Sequence, residues 1–308
     1  MGEDNKTMME EFLLIGFSDS PHLQVPLFLA FLLIYLMTLV GNLLIMITIY
    51  SSSLLHSPMY IFLTNLSFLD ITYTSVIFPQ MLVNFFNEGT DLSLSECLVQ
   101  MYFFTVMAST EIILLTLMAY DRYVAICNPL RYTVIMSKAV CTRLAAGCWT
   151  VGIIDTIPHT VLISQLSFCV THTINHFFCD ISAMMNISCS DTWKIEILTY
   201  VMGSIQTLMS FALIIISYVN IAFSVLKIRS KDGRHKAVST CTSHLIVVIL
   251  FYGSVSFSYM RPTSSYSKVD NKILSLSYIA VTPLCNPIIY SLKNTEFKNA
   301  LRKKRNTA

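Results

Sequence analysis

Seven apolar stretches decide most of what this chain can become. They run near residues 25–50, 58–86, 97–122, 140–164, 196–226, 237–260 and 271–292. Each meets the length of roughly 20 residues that a helix needs to cross a hydrocarbon layer about 30 Å thick. A backbone in lipid must satisfy its own hydrogen bonds, so spans of this length are read as helices rather than isolated strands. The expected fold is an all-α membrane protein forming one domain over 1–308: a polar segment at 1–24, a bundle of seven transmembrane helices at 25–292 and a tail at 293–308. Charged residues make up 12% of the chain, about half the share usual in a soluble domain. That scarcity points to the lipid membrane as the main solvent and away from a nucleic-acid partner.

An odd number of spans puts the termini on opposite sides, and the side richer in Lys and Arg is cytoplasmic. With the N-terminus outside, the inner segments hold fifteen basic residues, including Arg122, Arg131, Lys138, Arg143 and the runs at 227–236 and 293–305. The outside then keeps five: Lys6, Lys194, Arg261, Lys268 and Lys272. A multi-pass protein of the plasma membrane with an extracellular N-terminus is expected. The first 24 residues lack the basic start and short apolar core of a cleavable signal, so the first helix reads as a retained anchor. "NKT" at Asn5 is an outer acceptor for N-glycosylation and "NIS" at Asn186 a second candidate, whereas "NLS" at Asn65 falls within a span.

Of nine cysteines, Cys97, Cys169, Cys179 and Cys189 fall outside, where an even number in an oxidising compartment suggests two disulfides with three possible pairings. Cys127, Cys141, Cys148, Cys241 and Cys285 read as small buried thiols. The loop near 165–195 is long enough to be a lid. Its "HTINH" has metal-ligand spacing if helical, but hydrogen-bonded loop histidines at His172 and His176 are the preferred reading.

Ionisable groups inside spans are costly and usually face the bundle interior. Asp70 lies twelve residues from Pro58 and Glu111 eleven from Arg122, which places both roughly 17 Å deep at 1.5 Å per residue. Asn42 and Asn286 lie nearer their cytoplasmic ends, at roughly 9–12 Å. Two carboxylates at one depth either share a proton or bind a cation such as sodium; no other cofactor is called for. On the third helix Phe104, Ala108, Glu111, Leu115, Met118 and Arg122 share one face. That stripe links an outer cavity to the cytoplasmic end.

Six motifs occur in order, each on its own helix or end: "GN" at 41–42, "PMYIFLTNLSFLD" at 58–70, "MAYDRYVAIC" at 118–127, "SY" at 217–218, "KAVSTCTSHL" at 236–245 and "PLCNPIIYSLKN" at 283–294. Together they resemble the odorant receptors, a branch of the rhodopsin-like G-protein-coupled receptors, along nearly the whole chain. "NHFFCDI" and "KAVSTCTSHL" are similar to the tetrapod-type class. The resemblance implies a small, mostly apolar volatile odorant as ligand and a stimulatory olfactory heterotrimeric G protein as partner, with cyclic AMP as output. It further implies that Cys97 bonds Cys179 and Cys169 bonds Cys189. Asp121 and Arg122 would form the cytoplasmic switch, with Tyr218 and Tyr290 rearranging around Arg122. Leu130 would enter an apolar pocket on the G protein, and Pro287 would break the seventh helix beside Asn286. Tyr252 would stand where related receptors have a tryptophan, and Ala280 leaves no lysine for retinal.

Such a pocket should be mostly apolar with a few placed polar groups. Helix phase and the resemblance select Phe104, Thr105, Ala108 and Ser109 on the third helix and Met202 and Gln206 on the fifth. The sixth adds Val255, Ser256 and Tyr259, and the seventh Leu276 and Ile279. Asp155 and His159, one turn apart on the fourth helix, read as a pair that satisfies itself or nearby backbone. The tail places Phe297 and Leu301 on one face among basic residues, as in an amphipathic helix on an anionic leaflet. The chain lacks H-E-x-x-H, a P-loop and G-x-S-x-G, so an enzyme is not expected. The remaining alternatives are a non-olfactory chemosensory receptor of the same fold and a transporter or channel using Asp70 and Glu111. Against the latter stand the absent internal repeats.

Overall fold

A computed structural model describes residues 11–16, 21–52, 55, 57–87, 89–168, 173–259, 272, 275–293 and 295–305. The elements are β1 (Glu11–Leu14), α1 (Pro21–Ser51), α2 (Pro58–Val83), β2 (Thr90–Ser93), α3 (Leu94–Cys127), α4 (Tyr132–Ile135), α5 (Lys138–Ser164), β3 (Thr173–Ile174), α6 (Ile181–Asn186), α7 (Trp193–Lys227), α8 (Lys231–Tyr259), α9 (Thr282–Lys293) and α10 (Thr295–Arg305). Six helices, α1, α2, α3, α5, α7 and α8, are long and apolar enough to cross a membrane. A π-helical turn at Ser277–Val281 leads into α9, which packs against α1 and α8 and supplies the seventh span.

Helix α3 is the central post, touching α2, α5 and α7. It starts at a reciprocal cap: the Ser93 hydroxyl accepts from the Glu96 backbone N–H at 3.3 Å, and the Glu96 carboxylate accepts from the Ser93 N–H at 2.9 Å. The cap satisfies helix-end donors that would otherwise lack partners. Small residues let membrane helices approach closely. At Gly152 of α5 a Cβ would fall 2.3 Å from the Thr110 hydroxyl and 2.9 Å from the Val106 carbonyl. One turn toward the start of α5, Trp149 Nε1 donates to Asn65 Oδ1 on α2 at 3.0 Å. Outward faces of α1 and α7 stay apolar and exposed, with Val40 at 65% and Leu226 at 73%, as lipid-facing surfaces do.

Two readings of the helices are corrected. The basic run at 227–236, read from the sequence as a short loop, is only partly one, because α8 begins at Lys231. The seventh helix is not broken at Pro287: α9 runs through it, and the irregular turn lies earlier, at Ser277–Val281. The reason is a partner from another helix. Proline has no N–H for the carbonyl four residues back, and Asn42 Nδ2 on α1 donates to that Pro283 carbonyl at 3.2 Å instead.

The outer end carries a three-stranded sheet in the order β2-β1-β3, which the apolar-run reading does not anticipate. β1 pairs antiparallel with β2, Glu11 opposite Ser93, and parallel with β3, Leu13 opposite Thr173. Phe12 and Leu14 are fully buried beneath it, Phe12 edge-on to Phe168 at 5.0 Å. Lys272 Nζ donates to the Ile15 and Gly16 carbonyls at 3.2 and 2.6 Å, pinning the end of the strand.

Candidate ligand site and cytoplasmic switch

The lid is anchored where α3 begins. Cys97 bonds Cys179. Beside it the Cys179 N–H donates to Gln100 Oε1 at 2.9 Å, while Gln100 Nε2 donates to Gln80 Oε1 at 2.7 Å. Cys189 is also disulfide-bonded; Cys169, expected as its partner, lies outside the described residues, as do Asn5 and His172. Asn186 is exposed at the end of α6. The anchoring drives "HFF" into the bundle, with Phe177 and Phe178 fully buried. His176 stacks on Phe177 with ring centres 4.6 Å apart, and burial with the nearby Lys272 charge pushes its imidazole down to about 3. Burial raises the Asp180 carboxyl above the usual range, although Ser182 donates to it from both N–H and hydroxyl.

Beneath the lid Phe104 is surrounded by rings: Phe178 at 4.7 Å, Tyr73 at 5.1 Å and Tyr278 at 6.2 Å. Just over a turn further in, Ser109 joins three helices. Gln206 Nε2 on α7 donates to the Ser109 hydroxyl at 2.6 Å and to its carbonyl at 3.2 Å, and that hydroxyl donates to Asp155 Oδ2 on α5 at 3.4 Å. His159 Nδ1 lies 3.1 Å from the Asp155 carbonyl, so this pair is largely occupied with its own helix and Ser109. Ile279 is fully buried, and Ala108, Val255 and Leu276 are half-buried against the same core. Thr105 donates its hydroxyl to the Met101 carbonyl at 2.9 Å, turning its polar atom back onto α3. Met202, one turn outward from Gln206, is 40% exposed. The side chains of Ser256 and Tyr259 lie outside the described residues.

Deeper still, Asn286 Nδ2 donates to both carboxylate oxygens of Asp70, at 3.2 and 3.0 Å. Glu111 lies within electrostatic reach of Asp70, and its Oε1 has no hydrogen-bond partner among the described residues. Asp70, Glu111 and Asn286 thus come together, while the Asn42 amide N–H donates to the Thr38 and Pro283 carbonyls.

At the inner end Arg122 donates from Nε and Nη2 to Asp121 Oδ2, the Nε bond measuring 2.9 Å. Tyr132 Oη on α4 donates to the other oxygen, Asp121 Oδ1, at 2.8 Å. Burial and the Asp121 carboxylate raise the Tyr132 phenol above its ordinary range, which keeps it a donor. Tyr218 does not face Arg122 through a hydrogen bond; its hydroxyl meets His244 Nδ1 at 2.7 Å. His244 Nε2 reaches the Leu115 carbonyl at 3.1 Å, so one imidazole joins α7, α8 and α3. Tyr290 is buried with its hydroxyl unpartnered among the described residues, and Tyr252 packs on Phe211 at 5.5 Å. Leu130, on the short turn Pro129–Arg131, is 96% exposed.

Tyr132 and His244 are the residues that sequence reasoning missed. An ionisable side chain inside an apolar span was the available signal for His244; the position of Tyr132 depends on how the loop folds back.

A multi-pass bundle with a buried aromatic and polar cluster under a disulfide-tied lid, and a buried Arg122–Asp121 pair at its other end, has the form of a seven-helix signalling receptor rather than an enzyme. The sequence profile described as "Olfactory receptor" matches residues 31–305. Olfactory receptor 8D1 of Homo sapiens is 47% identical across 98% of each chain. Olfactory receptor-like protein COR4 of Gallus gallus is 48% identical over 98% of this chain and 97% of its own, and olfactory receptor 5G25 of Mus musculus 48% over 96% and 93%. The chain belongs to the olfactory receptor family and is an odorant receptor.

Proposed function

We propose that this receptor binds a small, mostly apolar volatile molecule between the Phe104 ring cluster and the Ser109–Gln206–Asp155 group, and answers by activating a stimulatory olfactory G protein that raises cyclic AMP. Its N-terminus faces outward at the plasma membrane and Arg122 the cytoplasm. One observation carries the reading: Gln206 on α7 donates across the interior to Ser109 at 2.6 Å, beneath an aromatic ceiling, and Ser109 shares its helix, α3, with Arg122. A ligand with one hydroxyl or carbonyl can exchange with that bond while its hydrocarbon part packs against Phe104. A ligand shifts the receptor only by its difference in affinity for two helix arrangements, and about 1.4 kcal/mol shifts their ratio tenfold. The active arrangement moves α8 outward, releases Tyr218 from His244 and opens the Arg122 surface beside Leu130.

Odorant screening of the expressed receptor, followed by Gln206→Ala at matched surface expression, tests the site. Potency should fall roughly tenfold for an oxygen-bearing agonist, the scale of one to two lost hydrogen bonds. Unchanged potency and efficacy reject it.

A second proposal concerns Asp70 and Glu111. Two carboxyl groups with the orphan Glu111 Oε1 and Asn286 Oδ1 form an oxygen donor set suited to sodium, and equally to a shared proton. Agonist potency measured with sodium or an organic cation separates them: a sodium effect lost in Asp70→Asn supports the ion, and indifference to sodium supports the proton.

A further inference from the structure

We infer that the groove between α1 and α9 holds one acyl chain of an anionic phospholipid, whose headgroup rests on Lys298 and Arg302 of α10.

The groove encloses about 380 Å³ and is lined by apolar residues, among them Leu36, Val40, Ile45, Pro287 and Phe297. It exists because Gly41 lets α9 come in close: a Cβ there would lie 2.9 Å from Pro287 Cγ. The flanking side chains then stand as rims, with Leu36 at 47% exposure, Val40 at 65% and Leu44 at 46%.

Its length argues for the occupant. From Leu36 to Ile45 is nine helical rises, roughly 13 Å, close to the half-thickness of roughly 15 Å that one leaflet's chain spans. Ile45 lies six residues from the end of α1 at Ser51, so the groove runs from the inner interface toward the midplane.

Charge argues for the headgroup. At the inner end Phe297 is buried, whereas Lys298 and Arg302, one turn apart on α10, are exposed. The sequence offers no Lys or Arg in the neighbouring 51–57 segment, and the exposed cations described at this end of the groove are those of α10. A guanidinium and an ammonium at the interface each favour an anionic headgroup. A sterol fills apolar space but makes no use of the two cations. The second described groove, between α2 and α3, is lined in part by Gln80, Ser95 and Glu96, and its carboxylate disfavours a phosphate.

The inference rests on the membrane embedding and not on the odorant or orientation readings. The full chain is reconstituted in nanodiscs of mixed phosphatidylcholine and phosphatidylserine, equal in both leaflets, so the result is independent of orientation in the cell. After mild detergent extraction, co-purifying lipid is measured by mass spectrometry and the oligomeric state by light scattering. Phosphatidylserine should be retained over phosphatidylcholine. Lys298→Gln and Arg302→Gln should each reduce that preference about fivefold. Leu44→Trp, which fills the groove, should abolish retention; Val40→Trp, on the more exposed rim, does the same should Leu44→Trp fail to fold. Equal retention of the two lipids overturns the inference. So does retention untouched by groove filling, displacement by cholesterol with no response to either charge variant, or a dimer that the tryptophans dissolve while lipid is unchanged.

Discussion

His244 spends both nitrogens on other helices, Nδ1 meeting the Tyr218 hydroxyl on α7 and Nε2 donating to the Leu115 carbonyl on α3. Each buried hydrogen bond contributes about 1 kcal/mol. His244→Phe should therefore raise ligand-independent cyclic AMP roughly 10- to 30-fold over the parent at matched surface expression. An unchanged or lower baseline shows that the imidazole does not hold the resting arrangement. Single residues were unevenly legible in the sequence. Arg122, Asp121, Asp70 and Glu111 stood out because charge inside an apolar run has few uses. Asn286 stood out with them as a polar group in a span, whereas Tyr132 did not, since its meeting with Asp121 depends on how the loop folds back.

Among the elements, the transmembrane helices were visible as apolar runs, because lipid leaves the backbone few alternatives. The outer sheet was not, for β1 is four residues long and β3 two, and neither has a repeating pattern long enough to read. The passage of α9 through Pro287 was hidden for a related reason: Asn42 sits more than 200 positions away, at a separation of 241 from Pro283. The lid has its own pH response. His176 is held at about 3 against 6.5 in an exposed histidine. Below 6.5 the unfolded chain takes a proton that the folded lid refuses, so stability falls as pH drops from 6.5 toward 3. Asp180, raised by burial, acts in the opposite direction and gives its stability at low pH. Comparing the parent with His176→Gln isolates the histidine. From pH 7.5 to 5.5 the parent should lose about 1.4 kcal/mol more than the variant, read from thermal unfolding of purified receptor. Equal losses contradict it.

For the whole molecule, the features follow one line from outside to inside: lid, Phe104 cluster, Ser109–Gln206 bond, Asp70–Glu111 layer, His244 bridge and the Arg122–Asp121 pair. Helix α3 contributes to every one of them. On the proposed function, its register would carry a change at the Phe104–Ser109 cluster to the Arg122 end without any single residue touching both. The most direct test is guanine-nucleotide exchange on a purified stimulatory olfactory heterotrimer, driven by the purified receptor under a panel of volatiles. At least one volatile should accelerate exchange, and Arg122→Ala should abolish the acceleration while leaving the receptor folded. No acceleration under any volatile, together with unaided passage of solute through receptor-containing liposomes, would contradict the account.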